Sequence, residues 1–342
     1  MTVPDRPGEQ QGALGELTEA AAVPTVVDEQ GYAPGESTLT PVADGATPVT
    51  VSTSGELDDA LAQARPGTTI VLADGVYTST HPFTITTACT AAEPCTLRGG
   101  AAAVVEGGGP DGHYALHLDG ADHWALTGFS VRAASKGVML DDTAHTVLDG
   151  LDVSQIGAEA IHLRSSSSDN VVRGCSVHDT GLVAPQYGEG IYVGSAVSNW
   201  DRYSGGAPDA SDRNELIGNH VWATGAENID IKEGTTGGVL RDNVFDGTGM
   251  SGLNGADSWV DVKGNAWTIA GNDGTHALRD GFQTHVAAPG WGERNVFTGN
   301  RAQVDATGYG FRIQDASSTG NVVRCDNVVT GAEAGTSNQA CS

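Results

Sequence analysis

Glu227, Asp230 and Lys232 fall within six positions of the stretch AENIDIKEGTTGGVLRDN, residues 226–243. Ile229 and Ile231 alternate with Asp230 and Lys232, so on a strand the acid and the lysine leave one face together. A lysine among carboxylates has two uses. It is either solvated charge pairing or a proton-transfer group whose pKa the neighbours tune. The choice depends on what the rest of the chain places beside it.

From residue 100 onward the chain repeats itself. ALHLDGADHWALTGFSV, GVMLDDTAHTVLDGLDV, AIHLRSSSSDNVVRGCSV, NIDIKEGTTGGVLRDNVF and GFRIQDASSTGNVVRCDNVV share one plan. Each has a short alternating strand, a polar turn, a second apolar strand, then Gly or Asp. The period is about 22 residues, which for strands indicates a stacked solenoid. The fold class read from this is all-β, a parallel β-helix with coils about 4.8 Å apart. Leu118, Leu140, Leu163, Val193, Ile231 and Val262 form one inward column. Phe129, Leu151, Cys175, Asn219, Asn243, Asn272, Asn300 and Asp326 form another, with an internal amide stack. Cys175 in that column reads as a buried small residue.

The outward column of the first strand runs His117, Met139, His162, Tyr192, Asp230, Asp261, Gln283, Arg312. Two residues later come Arg164, Lys232, Lys263 and His285. Just before the strands stand Glu159, Glu189 and Glu227, on three successive rungs. Stacked carboxylates repel unless a hard cation lies among them, and calcium accepts several such oxygens. Glu159, Glu189 and Glu227 are therefore the candidate metal ligands, with Asp230 the alternative to Glu159. A divalent ion would also cancel the charge that makes Lys232 a poor base, leaving it able to take a proton near neutral pH. The insertions GSAVSNWDRYSGGAPDASDR and DGTGMSGLNGADS are long enough to be cleft walls.

The 342-residue chain carries a formal net charge of −26, which argues against nucleic acid or an anionic membrane as partner. Its 48 glycines and 6% aromatic content suit short strands and tight turns. Cys89 and Cys95 bracket a short loop, and Cys325 and Cys341 sit at the C-terminus. Two close pairs suggest two disulfides and an exported, extracellular protein. No signal peptide is visible, which reads as a mature form carrying an added Met. Residues 1–45 read as a tail or linker, and residues 46–342 as the β-helix domain, which a short N-terminal helix caps. Ser54 is the expected N-cap of that helix.

The opening ARPGTTIVLADGVY, the entry TITTACTAAEPCTLRGG and the five-residue spacing of Glu227 and Lys232 resemble polysaccharide lyases of the alginate lyase and chondroitinase B type, family six. The resemblance covers residues 47–330. It implies a right-handed β-helix, a uronate-containing glycan and β-elimination, with a lysine base on one rung and a calcium-binding glutamate five residues earlier. The family's next rung usually carries an arginine followed by His-Gly. Here it reads SWVDVKGN, so Lys263 takes the task of neutralising the substrate carboxylate or protonating the leaving group.

The leading expectation is a secreted, monomeric lyase of an acidic polysaccharide. Lys232 is its base and Lys263 steadies the enolate-like intermediate. Tyr192, His162 or His285 protonates the leaving oxygen. Arg164, Trp200, Tyr203, Trp259 and Trp291 are candidate substrate contacts. One alternative is a β-helix hydrolase using Asp230 and Asp261 as acid and base. The other is a non-catalytic glycan-binding protein, in which Lys232 would be solvated and unpaired.

Overall fold

The computed structural model describes residues 47–342, and the expected tail, residues 1–45, lies outside them. Three sheets run the length of this part, with 11, 10 and 10 strands. Each turn of the chain lays one short strand in the first sheet, one in the second and one in the third. Thr69–Leu72, Gly75–Thr78 and Phe83–Ile85 form such a turn. Every strand between the sheet ends pairs in parallel with the strand one turn earlier and the strand one turn later. The third sheet, which carries Tyr192, Asp230 and Asp261, runs from Phe83–Ile85 to Gly335–Ser337.

The repeat in the sequence follows from the corner between the first and second sheets. Its first residue has positive φ: Gly150 at 62°, Gly174 at 57°, Gly218 at 61°, Asp242 at 58°, Gly271 at 64°. Glycine or aspartate recurs there because other side chains resist the left-handed region. The next residue then points inward. Asn219, Asn243, Asn272 and Asn300 occupy that place and are buried. Each side-chain amide donates to a backbone carbonyl of the previous rung and to the amide oxygen of the next. Asn243 Nδ2, for example, reaches Leu216 O and Asn272 Oδ1, both at 2.9 Å. The ladder ends on Asn327, whose Oδ1 accepts from Asn300 Nδ2 at 2.9 Å, and not on the expected Asp326. Asp326 instead turns outward and accepts from Thr298 Oγ1 and the Gly299 N–H. That corner is one residue longer than its predecessors. A second amide contact, Asn170 to Asn214 at 3.2 Å, lies at another corner.

The inward column of Leu118, Leu140, Leu163, Val193, Ile231 and Val262 is completely buried. Each such side chain contributes about 2 kcal/mol of apolar burial. Cys175 is buried as expected, and burial pushes its thiol up to about 12. The helix Ser54–Ala62 covers the N-terminal end of this core with Leu57 and Leu61. Its cap is Thr53, one residue before the expected Ser54. Thr53 and Glu56 form a reciprocal capping box, while Ser54 Oγ accepts from the Thr78 N–H. The expected disulfides Cys89–Cys95 and Cys325–Cys341 are both formed. No helix among the described residues is long and apolar enough to cross a membrane.

Trp259 departs from the strand alternation. Its indole is fully buried, with Nε1 donating to Thr275 O at 2.9 Å and the ring edge-on to Phe282. A side chain on either Gly274 or Gly281 would collide with this ring. The two glycines leave an interior hollow that the indole fills, so Trp259 is a core residue and not the expected sugar contact.

Candidate active site

Parallel register sets the site. Tyr192, Asp230, Asp261 and Gln283 are direct partners on four consecutive rungs of the third sheet. Lys232 and Lys263 follow their strands by one residue, fixed by N–H bonds to Val193 O at 2.8 Å and Ile231 O at 2.7 Å. The outward column is therefore as the repeat predicts.

Charge pairing runs along these rungs. Asp230 accepts from Lys232 Nζ at 2.6 Å through one oxygen and from Lys263 Nζ at 2.7 Å through the other. Lys263 also lies 2.7 Å from Asp261 Oδ2, and Asp261 Oδ1 is 2.7 Å from His285 Nδ1. Asp230 is buried and the two lysine side chains are 13% exposed, so Lys232 is neither solvated nor unpaired. Burial opposes the ammonium form of each lysine, but the Asp230 carboxylate outweighs it and holds both above the ordinary lysine value. Burial would raise Asp261, yet Lys263 and His285 hold it well below the carboxylate range. Because Asp261 is ionised, His285 Nδ1 carries the hydrogen and donates. The oxygens of Asp230 and Asp261 that meet these groups are committed to ion pairs, which leaves the acid–base pair of a hydrolase poorly served.

Glu189, Glu227 and Asp230 bring carboxylate oxygens within 4.8 Å of one another, all buried. Among the described residues neither glutamate forms an ion pair of its own. Burial and the Asp230 charge push Glu227 up to about 7. Burial together with Asp230, Glu159 and Glu227 pushes Glu189 well above the usual range. With Asp261, Lys232 and Lys263 counted in, four carboxylates and two ammonium groups carry a formal charge of −2 when all four are ionised, and burial with mutual repulsion resists that charge at Glu189 and Glu227. Oxygen donors of that net charge fit one hard divalent cation. Of the two alternatives for the third ligand, the geometry brings Asp230 into the group. Glu159 stands apart, bound to Lys136 Nζ and to His162 Nδ1, which is 3.1 Å away. Burial disfavours its charge, but His162 and Lys136 hold it down at about 2. Asp230 takes its place in the triad.

Tyr192 lies between these groups. Its ring centroid is 4.9 Å from Lys232 Nζ and 4.4 Å from the His162 ring, met edge-on. Burial and the Asp230 charge raise its phenol well above the ordinary value. His162 is buried, with Nε2 2.9 Å from Gly194 O, so it supports Tyr192 and does not open to a substrate.

The two insertions flank the third sheet. Residues 194–213 leave the strand Ile191–Val193 and form the turn Val197–Asn199 and the helix Trp200–Tyr203. Glu233 anchors this insertion by accepting from the Val197 N–H at 2.6 Å. Tyr203 lies over the Arg164 guanidinium at 4.1 Å, and Trp200 donates Nε1 to Ser195 O. Residues 247–257 approach from the opposite edge through the turn Leu253–Gly255. Arg164 does not join Lys232; it pairs with Asp141. Lys136 and Asp141 were missed as partners. Extending the columns one rung earlier supplies the signal, because Lys136 occupies the position of Glu159 and Asp141 that of Arg164.

A family model described as a right handed beta helix region matches residues 114–266. The crystal structure of an alginate lyase from Paenibacillus sp. str. FPU-7 superposes with a TM-score of 0.80 at 36% identity, covering 86% of this chain and 99% of that one. The chain belongs to the right-handed β-helix polysaccharide lyases. Two more distant structures share the fold. The pectate lyase Pel9A has a TM-score of 0.53 at 16% identity over 81% of this chain and 72% of its own. The family-six alginate lyase AlyGC has a TM-score of 0.53 at 17% identity over 85% of this chain and 40% of its own. No curated protein sequence matches the chain.

Proposed function

We propose that this lyase cleaves a uronate-containing polysaccharide, alginate first, by β-elimination, and that it is secreted. The carrying observation is the adjacency of Lys232 and Tyr192 beside the acidic triad. Lys232, as the free amine, takes the proton from C5 of the uronate. The electron pair forms the C4–C5 double bond and the bond from C4 to the glycosidic oxygen breaks. Tyr192, whose raised pKa keeps it protonated, gives its proton to the leaving oxygen. Lys263 supplies positive charge as the enolate-like intermediate develops. The 36% identity to a protein that acts on alginate, and the two disulfides, support the substrate and the compartment.

Glu189, Glu227 and Asp230 would hold a calcium ion. That ion would cancel the negative charge that keeps Lys232 protonated and make the C5 proton more acidic through the uronate carboxylate. Incubation with alginate and a panel of other uronate polysaccharides tests the proposal. Ultraviolet-absorbing unsaturated ends are expected from wild type and not from Lys232→Ala. Full activity in that variant, or reducing ends without absorbance, overturns the reading.

A further inference from the structure

Four short contacts join five side chains in one line: His285 Nδ1 to Asp261 Oδ1 at 2.7 Å, Asp261 Oδ2 to Lys263 Nζ at 2.7 Å, Lys263 Nζ to Asp230 Oδ1 at 2.7 Å, and Asp230 Oδ2 to Lys232 Nζ at 2.6 Å. Acids and bases alternate along it, across three rungs. His285 is the outer end, 31% exposed, while Asp261 is 5% exposed. We propose that His285 is a positioning residue: by tying down Asp261 it fixes the point at which Lys263 is shared between Asp261 and Asp230, and so where Lys232 stands.

The argument concerns where an ammonium group settles between two carboxylates. Lys263 meets Asp230 and Asp261 at equal distance. One partner of Asp261, the His285 N–H, satisfies its far oxygen and holds the carboxylate plane. Without that bond Asp261 is free to rotate and to claim Lys263 with both oxygens. Lys263 then leaves Asp230, and Asp230 is free to draw Lys232 away from its place against Tyr192. A displacement of one ångström in a reacting group is enough to cost about 10- to 100-fold in rate. This assignment rests on the lyase reading for its rate effect, but the geometry of the line does not.

The test compares His285→Ala with His285→Asn, whose side-chain amide offers an N–H close to the position of Nδ1. With alginate as substrate and ultraviolet absorbance as readout, His285→Ala is expected to lower kcat about 10-fold or more at nearly unchanged KM. His285→Asn is expected to recover most of the loss. Crystal structures of both variants give a readout independent of turnover. Lys263 Nζ should leave hydrogen-bonding distance of Asp230 in the alanine variant and stay within it in the asparagine variant. An alanine variant with Lys263 still bridging both aspartates overturns the proposal. So does one that raises KM alone, which would make His285 a substrate contact. If wild type yields no absorbing product, the lyase reading fails, and the crystal comparison still decides the role of His285.

Discussion

Arg164 grips Asp141 across neighbouring rungs, with Nε 2.6 Å from one carboxylate oxygen and Nη2 3.0 Å from the other. His117 Nε2 lies 2.9 Å from the same carboxylate, and Tyr203 covers the guanidinium. Burial raises the Asp141 carboxyl, but the bonds to His117 and Arg164 outweigh it and hold it far below the usual range. A carboxyl with a lowered folded value stabilises fully above its unfolded value, about pH 4, and the contribution disappears as pH falls toward the folded value. Asp141→Asn is therefore expected to cost about 2–4 kcal/mol at pH 7. Thermal unfolding followed by circular dichroism should show the gap to wild type shrinking between pH 5 and pH 2. A gap that is constant over this interval would refute the assignment.

Tyr192→Phe keeps the ring against Lys232 and His162 but removes the hydroxyl proposed as proton donor. A drop in kcat of about 100-fold with little change in KM is expected on alginate. The melting temperature should stay close to wild type, since the hydroxyl has no protein partner among the described hydrogen bonds. A rate within twofold of wild type would move the donor role elsewhere.

The acidic triad predicts one bound calcium ion per chain, measurable by calorimetric titration after chelator treatment. Glu189→Gln and Glu227→Gln should each weaken or abolish that binding. Glu159→Gln should leave it intact, because Glu159 serves Lys136 and His162. Loss of binding in Glu159→Gln as well as in the other two variants would restore Glu159 to the ligand set.

Asn243→Leu should cost about 3 kcal/mol or more, because it leaves the buried N–H and side-chain amide of Asn219 without the oxygen they both reach. Asn327→Ala, at the half-buried end of the same ladder, should cost much less. Denaturant unfolding of the two variants checks the ranking, and equal losses would argue against a load shared along the ladder.

The outward column was legible because its strand period is two and each rung, whatever the length of the insertion before it, reopens with the same short alternating strand. Counting from Ile229 and Ile231 therefore puts Tyr192, Asp230 and Asp261 in one line, as the register shows. What failed was whatever depends on the interior or on the reach of a long side chain. Alternation places Trp259 outward, yet the hollow over Gly274 and Gly281 draws it in. The missing bulk at those two glycines was the available clue. Glu159 sat in the correct column, but its oxygens went to Lys136 and His162, a choice set by side-chain distances that spacing does not carry. The ladder's end moved from Asp326 to Asn327 because one corner gained a residue.

The strands that hold Tyr192, Asp230 and Lys263 have four strands below them in the third sheet and three above. Loosening that begins at either terminus must peel away several coils before it reaches the chemistry. The enzyme can thus lose the outermost winding to a protease and keep its working centre clamped from both sides, like the middle leaves of a bound book.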